Sequence, residues 1–202
     1  MNEHLAELLF RILSDPRSAA PPDAAYLFGQ TIDNQESSFA AATRSEAIDL
    51  LLLDTEPRSG YPGFQAWRGE LLKSGFNANR IQPVPMPDDL VLNSRTESIA
   101  LMEYCRAEEI RTLEIIAPPF HQPRAFMTAV TIALEENLDL AIHSRPGKAF
   151  CWSAVATHSQ GELEATRAGL IHTELERIEI YQAKGDLASN EAVLDYLNRR
   201  DG

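Results

Sequence analysis

The sequence predicts an α/β fold: one domain on a parallel sheet of about five strands, helices on both faces, and further helices at the C-terminal end. Three observations predict it. Strand-length apolar runs alternate with helical stretches five times between residues 24 and 143. The clearest run, Ile48 to Leu53, is continuously apolar, as in a strand covered on both faces. Gly or Pro punctuates most junctions.

The elements follow in order. Leu5, Leu8, Leu9 and Ile12 recur at helical spacing, so a helix covers about residues 4 to 14, ended by Asp15-Pro16. Ala24 to Phe28 is a first strand closed by Gly29, and residues 35 to 45 are an alanine-rich helix. The buried strand Ile48 to Leu53 is closed by Asp54; a loop leads to a helix from Phe64 to Ser74, stopped by Gly75. Arg80 to Val84 is a strand, after which Pro85 and Pro87 force an extended exit. A helix from Arg95 to Glu108, a strand from Thr112 to Ala117, a helix from Pro123 to Glu136 and a strand from Leu138 to His143 complete the alternation. Residues 23–143 are thus the α/β core; in a C-terminal extension over residues 150–202, Gly161 to Tyr181 reads as largely helical and Ser189 to Arg199 as a final helix.

Composition excludes several classes. A net charge of −12 disfavours a nucleic-acid surface, which needs a basic stripe. No stretch approaches the ~18 apolar residues of a membrane span, and Met1 to Leu13 is too polar for a signal peptide, so a cytoplasmic protein is expected. Cys105 and Cys151 have no metal-type spacing and read as small buried hydrophobes, which fits a reducing compartment. Trp67 and Trp152 read as packing residues, and His143, His158 and His172 show no metal pattern, so no metal is expected. Arginine outnumbers lysine fifteen to three, and its planar fork suits carboxylate or phosphate.

In a parallel sheet, ligands sit beyond the carboxyl ends of the strands. Four segments therefore matter. Asn93 to Ser98 opens a helix; Ser94 and Glu97 make an S-x-x-E capping box. Its N-terminus can also hold an anion, and Arg95, opposing the helix dipole, together with Thr96, is a candidate ligand contact. Ala117 to Arg124 joins a strand end to a helix start, with Pro123 suited to the first helical position. His121 and Arg124 can point at one anionic group, and histidine serves as general acid or base near neutrality. Gly29 turns the chain after the first strand, with no dinucleotide or P-loop fingerprint around it. Asp54, Ser59 and Gly60 lie in the loop after the second strand; Asp54 suits a structural cap as well as it suits a ligand. The acidic helix from Glu162 to Glu179 reads as a solvated face.

Leu27-Phe28-Gly29, the stretch Leu71 to Ile81 leading to Ser94-Arg95-Thr96-Glu97, and Leu113 to Ala125 resemble the SanA/ElyC/YdcF family over about residues 23–143. Glu97, His121 and Arg124 match its pattern residue for residue. Departures are Gly29-Gln30 for a double glycine, Asp54 to Gly60 for a glycine turn, Phe64-Gln65-Ala66 for Ser-Glu-Ala, and Ser94 for an asparagine that Asn93 precedes by one residue. The resemblance implies a Rossmann-like fold, a soluble member, and S-adenosylmethionine or a nucleotide as ligand.

Two functions follow. In the first, the crevice binds an anionic, nucleotide-like or phosphate-bearing small molecule: Arg95 and Arg124 hold the charge, His121 donates a proton, Glu97 orients it or acts as base, and any hydrolysis or transfer is metal-independent. In the second, the crevice is vestigial and the acidic C-terminal helices form an interaction surface or a homo-oligomer contact.

Overall fold

Strands β1 (Ala24–Leu27), β2 (Asp49–Asp54), β3 (Ile81–Pro85), β4 (Thr112–Ile116) and β5 (Ala141–Ser144) form one parallel sheet in the order β3-β2-β1-β4-β5. The computed structural model describes residues 3–15, 20–29, 31–87, 89–158 and 163–202; Pro16 and Gln30, which figured in the sequence reading, lie outside them. β1 is the central strand, flanked by β2 and β4, and the apolar residues of all three are buried on both faces.

Helices α2 (Ile32–Ala42) and α3 (Phe64–Lys73) pack against β1, β4 and β2, while α4 (Ser94–Ala107) and α5 (Gln122–Glu135) pack against each other and against β3, β4 and β5. Helices α1 (Glu3–Leu13) and α7 (Asn190–Asp201) pair with one another and lean on α5. Each expected strand or helix up to residue 144 is present, with ends displaced by up to three residues. The topology is Rossmann-like: the chain leaves β1 toward β2 on one side and reaches β4 on the other, so a crevice opens between the ends of β1 and β4.

Gly161 to Tyr181 is largely helical, as expected, but only from Arg167 onward, and two strands precede that helix. Val155–His158 (β6) and Leu163–Thr166 (β7) form an antiparallel pair, and α6 (Arg167–Lys184) begins only afterwards. Residues 161 and 162 lie outside the described segments. The physical reason is the period: burial alternates residue by residue along both strands, a pattern four residues long that the alanine- and glutamate-rich context obscures. The pair is fastened to the start of α2. Thr31 Oγ1 and Asn34 Nδ2 donate to Thr157 O at 2.7 and 2.9 Å, and Asp33 accepts from Thr157 N and Oγ1. It therefore covers the strand ends from the α2 side, while α6 packs on α5 from the other.

Both sheet edges are blunted. Pro83 and Pro85 lie on edge strand β3 and remove two amide donors from it. On β5, the Tyr196 hydroxyl donates to Leu140 O at 2.7 Å and accepts from Ile142 N at 2.6 Å. Arg200 adds a bond to Ile142 O.

Candidate functional site

The cleft between the β1 and β4 ends has a volume of about 100 Å³ and is lined by Gly29, Ser59, Tyr61, Ser94, Glu97, His121, Arg124, His158, Arg177 and Tyr181, among others. Six of the ten residues that the sequence singles out meet there: Gly29, Ser59, Ser94, Glu97, His121 and Arg124.

Glu97 comes from the first turn of α4, yet it does not cap that helix as expected. The capping box is Asn93 with Thr96: Asn93 Oδ1 accepts from Arg95 N and Thr96 N, and Thr96 Oγ1 accepts from Asn93 N. The start is one residue earlier than Ser94, which turns Glu97 inward. Its Oε1 accepts from the Tyr26 hydroxyl at 2.8 Å and from Gly29 N at 2.6 Å. A Cβ at position 29 would meet that same oxygen at 3.4 Å, an ordinary contact. Burial pushes the Glu97 carboxyl up to about 7, against the pull of Gly29 N–H, Tyr26 and Arg124.

His121 caps α5, which begins at Gln122, so Pro123 holds the second helical position rather than the first. Its Nδ1 lies 2.6 Å from Glu174 Oε2, and burial with Arg124 and His158 nearby lowers its pKa to about 4 against the pull of Glu174. A neutral imidazole at that distance from a carboxylate must place its proton on Nδ1, leaving Nε2 as an acceptor. Among the described residues Nε2 has no hydrogen-bond partner. Phe28 packs edge-on against His121, Phe120 against His158, and the two imidazoles against each other.

Glu174 organises the rest. Arg124 Nε donates to its Oε2 at 2.7 Å and Nη2 to its Oε1 at 3.0 Å, a two-pronged pairing. His158 Nε2 lies 2.8 Å from Oε1, and Arg177 Nη1 donates to it at 3.4 Å. Burial alone would raise the Glu174 pKa, but Arg124 and the two imidazoles hold it well below the usual carboxylate range. Arg124 Nη1 reaches Ser94 Oγ at 2.9 Å.

Glu174 corrects the reading of α6 as a solvated face, since it is 2% exposed. His158, passed over for want of a metal spacing, is buried beside it. His121, His158 and Glu174 offer ligand atoms within 4.8 Å of one another, a set that matches a two-histidine, one-carboxylate site in number. The chemistry of the donor set is unfavourable: Arg124 already neutralises the carboxylate, and its Nη2 is 3.3 Å from His121 Nδ1, where a bound cation would meet a guanidinium.

The remaining candidates stand elsewhere. Arg95 is not in this cleft: it pairs with Glu135 at 2.8 Å and donates to Asp186 O, tying α4 to α5 and to the turn after α6. Thr96 is consumed by the capping box. Asp54 is exposed at the end of β2, and Gly60, with φ of 76°, shapes the turn that presents Ser59. Trp152 and Cys151, expected to be packed inside, are exposed, whereas Trp67 and Cys105 are buried.

Fold and cleft together define a Rossmann-like α/β protein with a buried, charge-compensated polar cleft at its switch point. No protein-family model, no curated protein and no solved structure matches the chain. Among the described residues no helix is long and apolar enough to cross a membrane.

Proposed function

We propose that the protein binds an anionic small molecule, phosphate-bearing or nucleotide-like, in the cleft between the ends of β1 and β4, and handles a proton there with Glu97 and His121. One observation carries the reading: a carboxyl titrating near 7, a neutral imidazole with an open Nε2, and the Arg124 guanidinium converge on one small cavity. The β1/β4 crevice is also where this topology gathers ligands.

In this reading Arg124 and Arg177, two guanidiniums against the one ionised carboxylate of Glu174, meet the anion with their surplus positive charge; one Arg124 Nη1 proton is engaged by Ser94 and the other is directed to the anion. Glu97 Oε2, the oxygen opposite the one held by Tyr26 and Gly29, gives or takes the proton, and His121 Nε2 accepts a hydrogen bond. Phosphoester hydrolysis or group transfer fits such a set. Membership of the SanA/ElyC/YdcF family belongs to the same proposal, supported by Glu97, His121 and Arg124 lying in one cleft, as does a cytoplasmic setting. A second reading, an interaction module acting through α6 and α7, draws on Ile171 and Ile180, both partly exposed on α6.

The test is thermal unfolding with inorganic phosphate, nucleotides, S-adenosylmethionine and sugar phosphates. A binder at a hundredfold its Kd adds about 2.7 kcal/mol to the folded state. We expect at least one anion to raise the midpoint, and Arg177→Gln, at a partly exposed position, to weaken it at least tenfold. A panel without effect, with self-association through α6 in sedimentation, favours the second reading.

A further inference from the structure

Resting on that reading, we infer that the preferred ligand is a sugar phosphate rather than free phosphate, its anionic head in the cleft and its sugar in a second chamber that opens from the same wall. The second chamber has a volume of about 330 Å³ and is lined by Arg95, Thr128, Asp186 and Leu187. Asn93, Ser94, Arg124 and Tyr181 line both cavities, so the two adjoin across these four residues.

Size decides the division. Small-molecule pockets commonly run from about 300 to 1,000 Å³. The first cavity, about 100 Å³, is too small to enclose a whole nucleotide or sugar phosphate but admits the tetrahedral oxyanion head of either. The second, about 330 Å³, reaches the lower end of that range. Charge points the same way. At the first cavity two guanidiniums, Arg124 and Arg177, share the single ionised carboxylate of Glu174, which leaves one positive charge beside two imidazoles. In the second, Arg95 is already neutralised by Glu135, which leaves the Asp186 carboxylate at the rim and the Thr128 hydroxyl in the wall. Thr128 Oγ1 spends its proton on Arg124 O at 2.7 Å and so faces a ligand as an acceptor. A carboxylate and an accepting hydroxyl suit a body that donates several O–H bonds, and Leu187 gives its ring an apolar floor. A second phosphate or a carboxylate in this chamber would instead meet Asp186. Arg95, expected from sequence to hold the ligand's charge, is in this arrangement a wall of the sugar's chamber.

Isothermal titration with inorganic phosphate and with ribose 5-phosphate tests the inference on the full chain. The sugar phosphate should bind at least tenfold tighter. Asp186→Trp, at an exposed position that can fill the chamber's mouth without disturbing the core, should erase the advantage while leaving inorganic phosphate unaffected. Leu187→Phe, which raises the floor, should do the same. Equal affinities for the two ligands, or an advantage that survives both variants, overturn the sugar chamber alone. Failure of both ligands to bind, with the protein folded by circular dichroism, overturns the anion site itself and this inference with it.

Discussion

Glu97 and Glu174 are two buried carboxyls that the fold drives in opposite directions. Each is 3% exposed or less. Glu174 faces a guanidinium paired through two nitrogens and stays ionised; Glu97 faces a phenol and one backbone amide, and burial wins. Environments that push two such groups apart are how a site obtains an acid and a fixed charge at the same pH. The sign of the consequence follows. The Glu97 pKa is raised from 4.5 to about 7 on folding, so between those values the folded chain holds a proton that the unfolded chain has released. Its contribution to stability is fully present below about 4.5 and is lost as pH rises through about 7. Urea denaturation of the wild type and Glu97→Gln across pH 4 to 9 should therefore give a stability difference that falls by a few kcal/mol with rising pH. A difference independent of pH would mean that Glu97 is not shifted.

At the scale of elements, the strand ends are enclosed by pieces that arrive late in the chain. Residues 145 to 149 carry it from β5 across the top of the sheet toward β6, and the passage is tight. A Cβ on Gly147 would lie 2.5 Å from Ser37 Oγ and 3.0 Å from Ala117 O, between α2 and the end of β4. Gly69, in the middle of α3, has nothing within 4 Å. The same substitution should then have opposite signs. Gly147→Ala should destabilise by about 1–3 kcal/mol through overpacking, and Gly69→Ala should stabilise by about 1 kcal/mol through helix propensity. Urea midpoints of the two variants compare them directly.

The late elements also mark where the sequence stops being readable. The five strands were legible because each is an apolar run closed by a turn signal, and the topology then pointed to Gly29, Glu97, His121 and Arg124. Glu174, His158 and Arg177 were not. They reach the cleft only because β6, β7 and α6 fold back over the strand ends, and no spacing within the chain records that return. Glu174 sits among acidic neighbours on a helix, where a buried carboxylate and a solvated one look alike; only its partner Arg124, fifty residues earlier, tells them apart. The Asn93 cap illustrates a finer failure. Asn93 and Ser94 are both good caps, and choosing Ser94 rotates Glu97 from the cleft to the helix end.

For the whole molecule, the sheet is finished at both margins. At β5 one phenol satisfies two backbone groups, Leu140 O and Ile142 N, so Tyr196→Phe should cost about 1–3 kcal/mol by leaving them without partners. Chemical denaturation would register it, and an unchanged midpoint would show that those groups find other bonds. Prolines at β3 remove amide donors, and a tyrosine staple at β5 occupies Leu140 O and Ile142 N, so a neighbour's strand finds a broken row of partners on which to continue this five-stranded ladder. Copies of this chain that meet at high concentration gain little by extending the five-stranded sheet, so contacts there fall to side chains, which salt and surface substitution can reverse.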